Sequence, residues 1–359
     1  MTAKYLTQYG IENQIISMGN TEEQIKRNSS KLAELKAIGV EIYYSVSRFQ
    51  NNYGLGSFRE LKKSMASLRK PDLIVLHQIY TFSTILGFWY ARKYQIPFTV
   101  KPHGSLTNYH ESDSRLIKSL AKKMIFSKIL LKSGAVIVTC ESEKADLPAE
   151  LRSKAFILPY GSPLSDEENE VHTLSNQFDT KLRIVFSGRF DKKKNLPLLI
   201  ESMPQVLSKY PGLILDIAGS GSAKEVKNVR QLVMSLKIEQ NIEFHGWIDA
   251  KSMRKLLTAS RLLVLPSENE NFAIVVAEAL SLGIPCVVSK YVGSADLVVK
   301  HFAGEVIDEL TPSSIADGII KILQGDRNAF RKAALKATRD ELDWSKIALK
   351  WRSLVTYLA

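Results

Sequence analysis

Short apolar runs alternate with longer amphipathic segments along almost the whole chain of 359 residues, and this alternation limits the possible folds. The runs have the length of buried strands, and the segments between them have the periodicity of helices. The predicted strands are Gln14–Met18, Val40–Val46, Asp72–His77, Phe98–His103, Ala135–Cys140, Phe156–Pro159, Ile184–Ser187, Leu213–Ala218, Ile242–His245, Leu262–Pro266, Cys286–Ser289 and Glu305–Ile307. Strands that alternate with helices form parallel sheets covered by helices on both faces. We therefore predict an α/β protein with doubly wound parallel sheets.

The alternation is interrupted once, by a polar segment from Ser162 to Asp179 that has the composition of an interdomain linker. A chain of this length suits two domains rather than one. The last segment, Trp344 to Leu358, carries apolar residues at helical spacing but precedes no strand. The predicted organisation is 1–163 as an N-terminal α/β domain, 164–180 as a linker, 181–340 as a second α/β domain and 341–359 as a terminal helix.

Two features of the sequence indicate the compartment. The chain has only two cysteines, Cys140 and Cys286, both beside apolar runs, so we expect buried thiols and a reducing cytoplasm. The segment from Met1 to Tyr5 lacks the apolar stretch and the cleavage site of a signal peptide. The uncharged stretch from Leu73 to Ala91 contains several polar residues, and we interpret it as a buried strand followed by a helix rather than as a membrane span.

Positive charge is concentrated in the first half of the chain. Residues 1–163 contain 23 Lys and Arg against 13 Asp and Glu, a net charge of +10 out of the total of +12. Such an asymmetry predicts an anionic partner, either nucleic acid or an acidic membrane. The sequence shows no aromatic stacking platform, zinc-ligand spacing or recognition-helix motif, so we do not predict nucleic-acid binding.

A predicted helix near residues 115–132 could carry the membrane contact. At helical spacing, one face combines basic and apolar side chains, as is typical of a helix that lies in the lipid interface. The members of this predicted membrane-facing surface are Arg115, Lys118, Lys122, Phe126, Ile125, Ile129 and Lys132. The opposite face, with Leu116, Ile117, Leu120, Met124 and Leu131, would then point to the core. A basic helix that is merely solvated remains the alternative.

The most informative motif is an apolar strand, Leu262–Pro266, that leads directly into a helix predicted to run from about Phe272 to Leu282. Gly283 just past the last turn is a helix stop signal. The free amides of Asn271, Phe272 and Ala273 would form an anion site at the carboxyl end of a parallel sheet, where α/β folds bind ligands.

Two acidic residues flank this predicted anion site, because Glu270 precedes the helix and Glu278 lies on it. This arrangement resembles the paired-glutamate motif of glycosyltransferase family 4. The resemblance implies that Glu270 is a catalytic-site residue that holds hydroxyls of a donor sugar. It implies further that Glu278 holds the ribose hydroxyls and that the amides of Asn271–Ala273 hold the diphosphate of a nucleotide-sugar donor.

A second strand passes through Gly188 into a basic loop that contains Arg189 and Lys194. Glycine allows close backbone approach, and two cations can neutralise a leaving diphosphate. The segment resembles the Gly-Arg, basic loop and Lys-Gly motif of the same family, with Asn195 in place of the last glycine. Asparagine tolerates unusual backbone angles, so we expect the loop to keep its conformation.

In the first half, Pro102-His103-Gly104 ends a predicted strand and resembles the Pro-His-Gly segment of the same family. The resemblance implies that His103 is a catalytic-site residue that orients the donor or acts electrostatically. It also implies a GT-B fold, in which two Rossmann-like domains face a cleft and the final helix crosses back to the first domain. Domain 181–340 would bind the nucleotide sugar, and domain 1–163 the acceptor.

The implied activity is that of a retaining hexosyltransferase, which moves a sugar from a nucleotide diphosphate sugar to a glycan or lipid-linked acceptor in cell-surface polysaccharide biosynthesis, such as that of lipopolysaccharide. The chain has no Asp-x-Asp pair, so we expect no metal ion, and no cofactor besides the donor substrate. A lipid-linked acceptor would agree with a cytoplasmic protein that is peripheral on the inner face of the plasma membrane.

Two alternatives stay open at this point. A sugar-nucleotide epimerase shares the predicted architecture, and a catalytically silent family member would share the motifs.

A further expectation concerns the start of the chain, because Thr2 to Tyr9 is predicted to be a helix and no strand precedes it. Members of the family begin with a strand that is central in the Rossmann sheet. We therefore expect a gap or a re-pairing among the first strands. We also expect that the reading frame is truncated or its start misassigned, and that the 359-residue form is less stable and weakly active or inactive.

Overall fold

The structure is a computed structural model that describes residues 2–20, 22–46, 65–66, 69–106, 116–162 and 182–358. It divides into two compact units. The first comprises Met1–Pro159 together with Trp344–Ala359, and the second comprises Tyr160–Asp343. The predicted linker 164–180 lies outside the described residues. Both units are built from parallel strands and helices, as the alternation predicts.

The first unit follows the predicted order of strands. Its elements are α1 (Thr2–Gln8), β1 (Gln14–Asn20), α2 (Glu22–Arg27), α3 (Ser29–Ala37), β2 (Glu41–Val46), β3 (Ile74–His77), α4 (Phe82–Tyr94), β4 (Phe98–Lys101), α5 (Leu116–Lys132), β5 (Ala135–Val138), α6 (Glu141–Ala145), α7 (Ala149–Arg152) and β6 (Ala155–Ile157). Strands β3, β4, β5 and β6 pair in this order, and all pairs are parallel.

The first two strands form a sheet of their own. Strand β1 pairs with β2 in parallel, and within the described ranges no backbone ladder connects either strand to β3. The two sheets nevertheless approach each other at their amino ends, where Arg69 forms ion pairs with Glu12 (2.8 Å) and Glu41 (3.5 Å). The expected gap between the early strands is therefore present in the part of the chain that the structure describes.

The second unit contains one sheet of six parallel strands in the order β12-β11-β10-β7-β8-β9. Its elements are β7 (Arg183–Ser187), α8 (Leu196–Lys209), β8 (Ile214–Ala218), α9 (Ala223–Ser235), β9 (Ile242–Gly246), α10 (Ala250–Ala259), β10 (Leu263–Leu265), α11 (Ile274–Ser281), β11 (Cys286–Ser289), α12 (Ala295–His301), β12 (Gly304–Ile307), α13 (Pro312–Gln324) and α14 (Arg327–Ala337). Short 3-10 turns at Lys192–Lys194 and Glu239–Asn241 and a π-helical turn at Thr338–Leu342 complete it. Strands β8, β10 and β11 are buried along their whole length, which explains why their sequences are apolar apart from Asp216 in β8 and Ser289 at the end of β11.

The terminal helix α15 (Trp344–Leu358) belongs to the first unit. Its buried side chains include Trp344, Trp351 and Leu354, and they pack against Leu6 of α1 and Ile137 of β5. The ring of Trp344 also stacks on Tyr5, with 4.6 Å between the ring centroids. This apolar cluster explains how a helix without a strand of its own buries its apolar face.

The predicted orientation of α5 is wrong for Phe126, Ile129, Met124 and Leu131, whereas Ile125 and Lys132 are exposed as predicted. Phe126, which we expected to face a membrane, is 5% exposed and packs in the core of the first unit together with Ile129. Met124 and Leu131, which we expected in the core, are 70% and 54% exposed. Nearly every turn of α5 carries apolar residues, so helical periodicity alone does not identify the buried face. Arg115 lies outside the described residues, and only the backbone of Lys118 and Lys122 is described.

Candidate functional site

The loop between β10 and α11 leaves two backbone amides unused. Helix α11 begins at Ile274, two residues later than predicted, because Ala273 adopts a left-handed conformation with φ 60°. Within the described part of the chain, the N–H groups of Phe272 and Ala273 donate to no protein acceptor. Two free amides at the start of a helix that follows a parallel strand provide donors for an anion.

Backbone and side-chain hydrogen bonds fix this loop from two sides. The N–H of Glu270 donates to the carbonyl of Tyr291 (3.0 Å), and the N–H of Gly293 donates to the carbonyl of Glu270 (2.8 Å). On the other side, the N–H of Glu268 donates to the carbonyl of Lys193 (2.7 Å), and the amide of Asn195 donates to the carbonyl of Pro266 (3.1 Å). The backbone at Glu270 is therefore held between the loops that follow β7 and β11.

The basic loop after β7 joins the same site. Lys194 ends the turn Lys192–Lys194 and forms an ion pair with the Glu270 carboxylate, and both side chains are largely buried. Asn195 has φ 51°, in the left-handed region, which is an unusual backbone angle of the kind that asparagine tolerates. Arg189 is 77% exposed and contacts Asp191 at 3.2 Å, so its guanidinium stays accessible to a ligand.

The turn at Gly188 is in close contact with the glycine-rich loop after β8. The N–H of Gly188 donates to the carbonyl of Ala218 (3.0 Å), and that of Phe190 donates to the carbonyl of Ser220 (3.0 Å). Gly219 has φ 140°, and a Cβ atom there would lie 1.8 Å from the carbonyl oxygen of Gly188. Only glycine fits this contact, because the neighbour is backbone and cannot move aside.

We expect Gly219→Ala to lower the thermal midpoint of unfolding and to displace the Gly188 turn. The added methyl group overlaps a backbone carbonyl and also requires a strained backbone conformation. Gly212→Ala is the matched control, because a Cβ atom there has no neighbour within 4 Å and should leave the midpoint unchanged. Equal midpoints for the two variants in calorimetry would contradict the close contact at Gly219.

Glu278 projects from the middle of α11 with a partly buried side chain. Burial raises the pKa of this carboxyl above its ordinary value. The folded protein therefore holds a proton on Glu278 more tightly than the unfolded chain does. Consequently, this residue lowers the stability of the ligand-free protein as the pH rises through the pKa of the folded state, and the full penalty is present at higher pH.

We expect Glu278→Gln to raise the urea midpoint of the ligand-free protein at pH 8 and to have little effect at pH 4. The amide has nearly the same shape but carries no charge, so the cost of burying an ionised carboxylate disappears. The paired measurement is ligand affinity, which should fall if the carboxylate contacts the ligand. An unchanged or lower midpoint at pH 8 would contradict the assignment of a desolvated carboxylate.

The first unit contributes a cluster of titratable side chains at the carboxyl ends of β3 and β4. His103 has φ 54°, and its Nε2 atom lies 2.9 Å from Nδ1 of His77, with the two rings stacked at 5.2 Å. The pKa of His103 is lowered to about 4 by burial first and by the positive charge of Lys101 second. Both Glu143 oxygens accept hydrogen bonds: one from the N–H of Gly104 (2.9 Å), the other from the N–H and hydroxyl of Thr139 (2.7 and 2.8 Å). Glu143 thereby fixes the turn that presents His103.

A separate ionic network lies across strands β7, β8 and β9 of the second unit. Arg183 donates two hydrogen bonds to Asp216 (2.8 and 2.6 Å), and Nε2 of His245 lies 2.6 Å from the same carboxylate. His245 is therefore a member of this network, a role that the sequence analysis did not predict. Asp216, Glu243 and His245 are close enough to hold a metal ion, yet Arg183 pairs with both of the carboxylates in that group.

The structure thus assembles Gly188, Arg189, Lys194, Glu270 and the Asn271–Ala273 segment around one edge of the second sheet, while Glu278 lies further along α11. His103 lies in the first unit. The sequence analysis did not identify His77 as the neighbour of the His103 ring, or Glu143 as the side chain that fixes the turn at Gly104. His77 ends a strand next to the one that leads to His103, and this position was the available signal, because parallel strands align their carboxyl ends.

Comparison with known proteins identifies the two halves of the chain. Residues 1–161 match the family described as Glycosyltransferase Family 4, and residues 167–338 match the family described as Glycosyl transferases group 1. A D-inositol 3-phosphate glycosyltransferase of Corynebacterium glutamicum is 23% identical over 98% of this chain and 89% of its own length. An uncharacterized glycosyltransferase of Methanocaldococcus jannaschii is 31% identical, over 52% of this chain and about half (47%) of its own length.

Solved structures support the same fold. The Anabaena protein HepE, whose structure was determined in complex with UDP and glucose, superposes with a TM-score of 0.74 at 16% identity, over 99% of this chain and 94% of its own. A sucrose-phosphate synthase from Thermosynechococcus elongatus superposes with a TM-score of 0.69 at 18% identity, over 97% of this chain and 99% of its own. Two consecutive family matches along nearly the whole chain, together with these neighbours, identify the chain as a glycosyltransferase of family 4 with the GT-B fold.

Proposed function

We propose that this protein transfers a hexose-type sugar from a nucleotide diphosphate sugar to a glycan or lipid-linked acceptor, with retention of configuration at the anomeric carbon. The acceptor would belong to cell-surface polysaccharide biosynthesis. The single observation that carries the proposal is the buried Lys194–Glu270 pair beside the free amides of Phe272 and Ala273. A cation, an acid and two amide donors on one edge of a parallel sheet suit a sugar diphosphate.

The proposed roles follow from the chemistry of each group. Arg189, Lys194 and the amides of the Asn271–Ala273 segment stabilise the negative charge that develops on the leaving diphosphate. Glu270 accepts hydrogen bonds from hydroxyls of the donor sugar, and Glu278 from the ribose hydroxyls. His103 orients the donor, with Gly188 allowing close approach of the backbone to the ligand. No cofactor enters this scheme, because the nucleotide sugar is a substrate.

In the proposed reaction, the bond between the anomeric carbon and the diphosphate oxygen breaks, and the acceptor oxygen attacks from the same face. The acceptor proton moves to an oxygen of the leaving diphosphate, so no side-chain nucleophile is required. Protein cations and amides take the place of a divalent metal as partners of the diphosphate, and we propose metal-independent activity. Turnover should then persist after dialysis against EDTA.

A donor screen tests this proposal. The protein is incubated with a panel of nucleotide sugars and with membrane lipid extract as the acceptor source, and nucleotide release is measured. NMR of the product then reports the anomeric configuration. Release of a nucleoside diphosphate with a retained glycoside supports the proposal, and an inverted product contradicts the retaining mechanism. Free epimerised sugar nucleotide without an acceptor would favour the epimerase alternative, and no release from any donor would favour a silent family member.

The proposed cellular place is the cytoplasm, on the inner face of the plasma membrane. Among the helices of the described residues, none is both long and apolar enough to cross a bilayer. The first unit instead exposes Trp89 of α4 and Met124, Ile125 and Leu131 of α5. Exposed lysines of the described segments, including Lys128, accompany these side chains. Aromatic, apolar and basic side chains together suit the interface of an anionic bilayer.

We expect the protein to sediment with vesicles that contain anionic phospholipid and to bind neutral vesicles weakly. The stretch from Asn51 to Lys132 has 14 Lys and Arg against 4 Asp and Glu, so binding should fall as salt screens the attraction. Met124→Ser should weaken binding to anionic vesicles, whereas Met234→Ser, at an exposed methionine of the second unit, serves as the control. Equal binding to both kinds of vesicle that does not change with salt would contradict the proposal that electrostatic attraction contributes to membrane binding.

A further inference from the structure

The second unit has an arginine-lined pocket at the edge of the sheet opposite the donor residues. Arg261 precedes β10, and Arg327 and Arg331 lie in the first turns of α14. These three side chains line a small open pocket. Its other walls are Ser260, Gly283, Ile284, Pro285, Ile322 and Phe330. We refer to this site as the arginine pocket.

The arginine pocket is distinct from the proposed donor site. It lies at the amino ends of β10 and β11, whereas Glu270 and the free amides follow the carboxyl end of β10. The six residues from Arg261 to Pro266 are separated by five steps along the strand, which span about 16 Å when extended. None of the residues assigned to the donor lines the pocket. A ligand bound there therefore uses a different set of groups.

The protein compensates the positive charge of this pocket only in part. Among the described residues, the guanidinium groups of Arg261, Arg327 and Arg331 form no ion pair and no hydrogen bond. Burial lowers the pKa of Arg261 and of Arg331, and the neighbouring charge of Arg327 lowers both further. The Asp326 carboxylate acts in the opposite direction on Arg261, but it also accepts a hydrogen bond from the N–H of Asn328 at the start of α14.

Like charges that are partly removed from water destabilise a fold unless a ligand compensates them. Guanidinium groups bind phosphate through paired hydrogen bonds, and they do so more strongly where apolar walls exclude water. Phe330, Ile284 and Pro285 supply such walls. We propose that the arginine pocket binds a phosphate group of a small molecule, at a site separate from the donor site.

Inorganic phosphate and phenyl phosphate are the probes for this pocket. Calorimetric titration of the full chain is carried out at constant ionic strength, with sodium chloride in place of phosphate as the reference. Native protein should bind both probes, and phenyl phosphate should bind more tightly if the apolar walls take part. Arg261→Gln/Arg331→Gln should weaken binding at least tenfold. Lys332→Gln, which removes one exposed charge from the same helix, should change it less than twofold.

Two further measurements show where the phosphate binds and whether the variants remain folded: phosphate binding by a donor-site variant, and the thermal midpoint of unfolding. Arg189→Gln should not alter phosphate binding at the arginine pocket, and a loss as large as that in Arg261→Gln/Arg331→Gln would place the phosphate in the donor site and overturn the proposal. In buffer without phosphate, Arg261→Gln/Arg331→Gln should raise the thermal midpoint, because it relieves repulsion between unpaired charges. Phosphate should raise the midpoint of the native protein only. A lower midpoint in the double variant would mean that the arginines are structural, and the proposal would fail. Equal phosphate binding by native protein and double variant would also overturn it.

Discussion

Glu270→Ala should lower kcat/KM by about 30- to 1000-fold, which corresponds to about 2 to 4 kcal/mol of transition-state stabilisation. The carboxylate pairs with Lys194 in the structure and is proposed to hold hydroxyls of the donor sugar. Its removal therefore eliminates one contact to the sugar and also releases the lysine that is proposed to face the diphosphate. Lys194→Ala should have an effect of the same size. The measurement is steady-state kinetics with the donor found by nucleotide release.

A matched control separates this effect from a general disturbance of the loop. Glu268 lies two residues before Glu270, and its described hydrogen bond uses only the backbone N–H, so Glu268→Ala should keep kcat/KM within about threefold. Both Glu270→Ala and Lys194→Ala should lose some stability, because each leaves the other member of a largely buried ion pair without its partner, but both should remain folded by circular dichroism. Full turnover by either variant would show that the site has been assigned to the wrong residues.

Asp216→Ala should lower the free energy of unfolding by about 3 to 5 kcal/mol, the effect of removing one partner of a buried ion pair. Asp216 is fully buried and accepts two hydrogen bonds from Arg183, and its carboxylate also lies 2.6 Å from Nε2 of His245. Without the carboxylate, Arg183 stays largely buried inside the sheet without its main partner. Burial of an arginine without its partner is more unfavourable than replacement of both partners by apolar residues. Urea denaturation measures the change.

Two companion variants test the cause of this loss. Arg183→Met/Asp216→Leu removes both charges and should recover most of the stability, because no buried charge is left unpaired. Asp308→Ala removes an exposed aspartate of the same unit and should change the unfolding free energy by less than about 0.5 kcal/mol. If the double variant is as unstable as Asp216→Ala, the aspartate stabilises the sheet in some way other than by pairing with Arg183.

The strands of both units could be predicted from the sequence because buried parallel strands are short, apolar and bounded by polar segments. Cys286–Ser289 was predicted with the observed bounds, and most other strands agree within a few residues at each end. The loop at Asn195 was also predictable, because its left-handed conformation depends on a local preference of asparagine. Predictions of this kind succeed where the determinant lies within a few residues of the feature.

The predictions that failed concern features whose determinants lie far apart in the sequence. The buried face of α5 depends on what packs against it, and Phe126 contacts residues distant in sequence, such as Tyr80 at 5.3 Å between ring centroids. The His77–His103 contact and the Arg183–Asp216–His245 network depend on strand order and register, which a single sequence does not reveal. One signal was available, because a charged residue in the apolar run Ile214–Ala218 requires a buried partner.

The position of α15 has a consequence for biosynthesis. The first unit begins at the amino terminus, yet its apolar cluster includes Trp344, Trp351 and Leu354. On the ribosome, chains are made from the amino end, and domains ordinarily fold in that order. Leu6, Ile137 and Leu158 can complete their apolar cluster only after α15 has been synthesised. Since α15 follows the second unit along the chain, the second unit can bury its own core earlier. We therefore expect the second unit to act as a folded spacer during synthesis, while the unfinished first unit depends on chaperones until α15 leaves the exit tunnel.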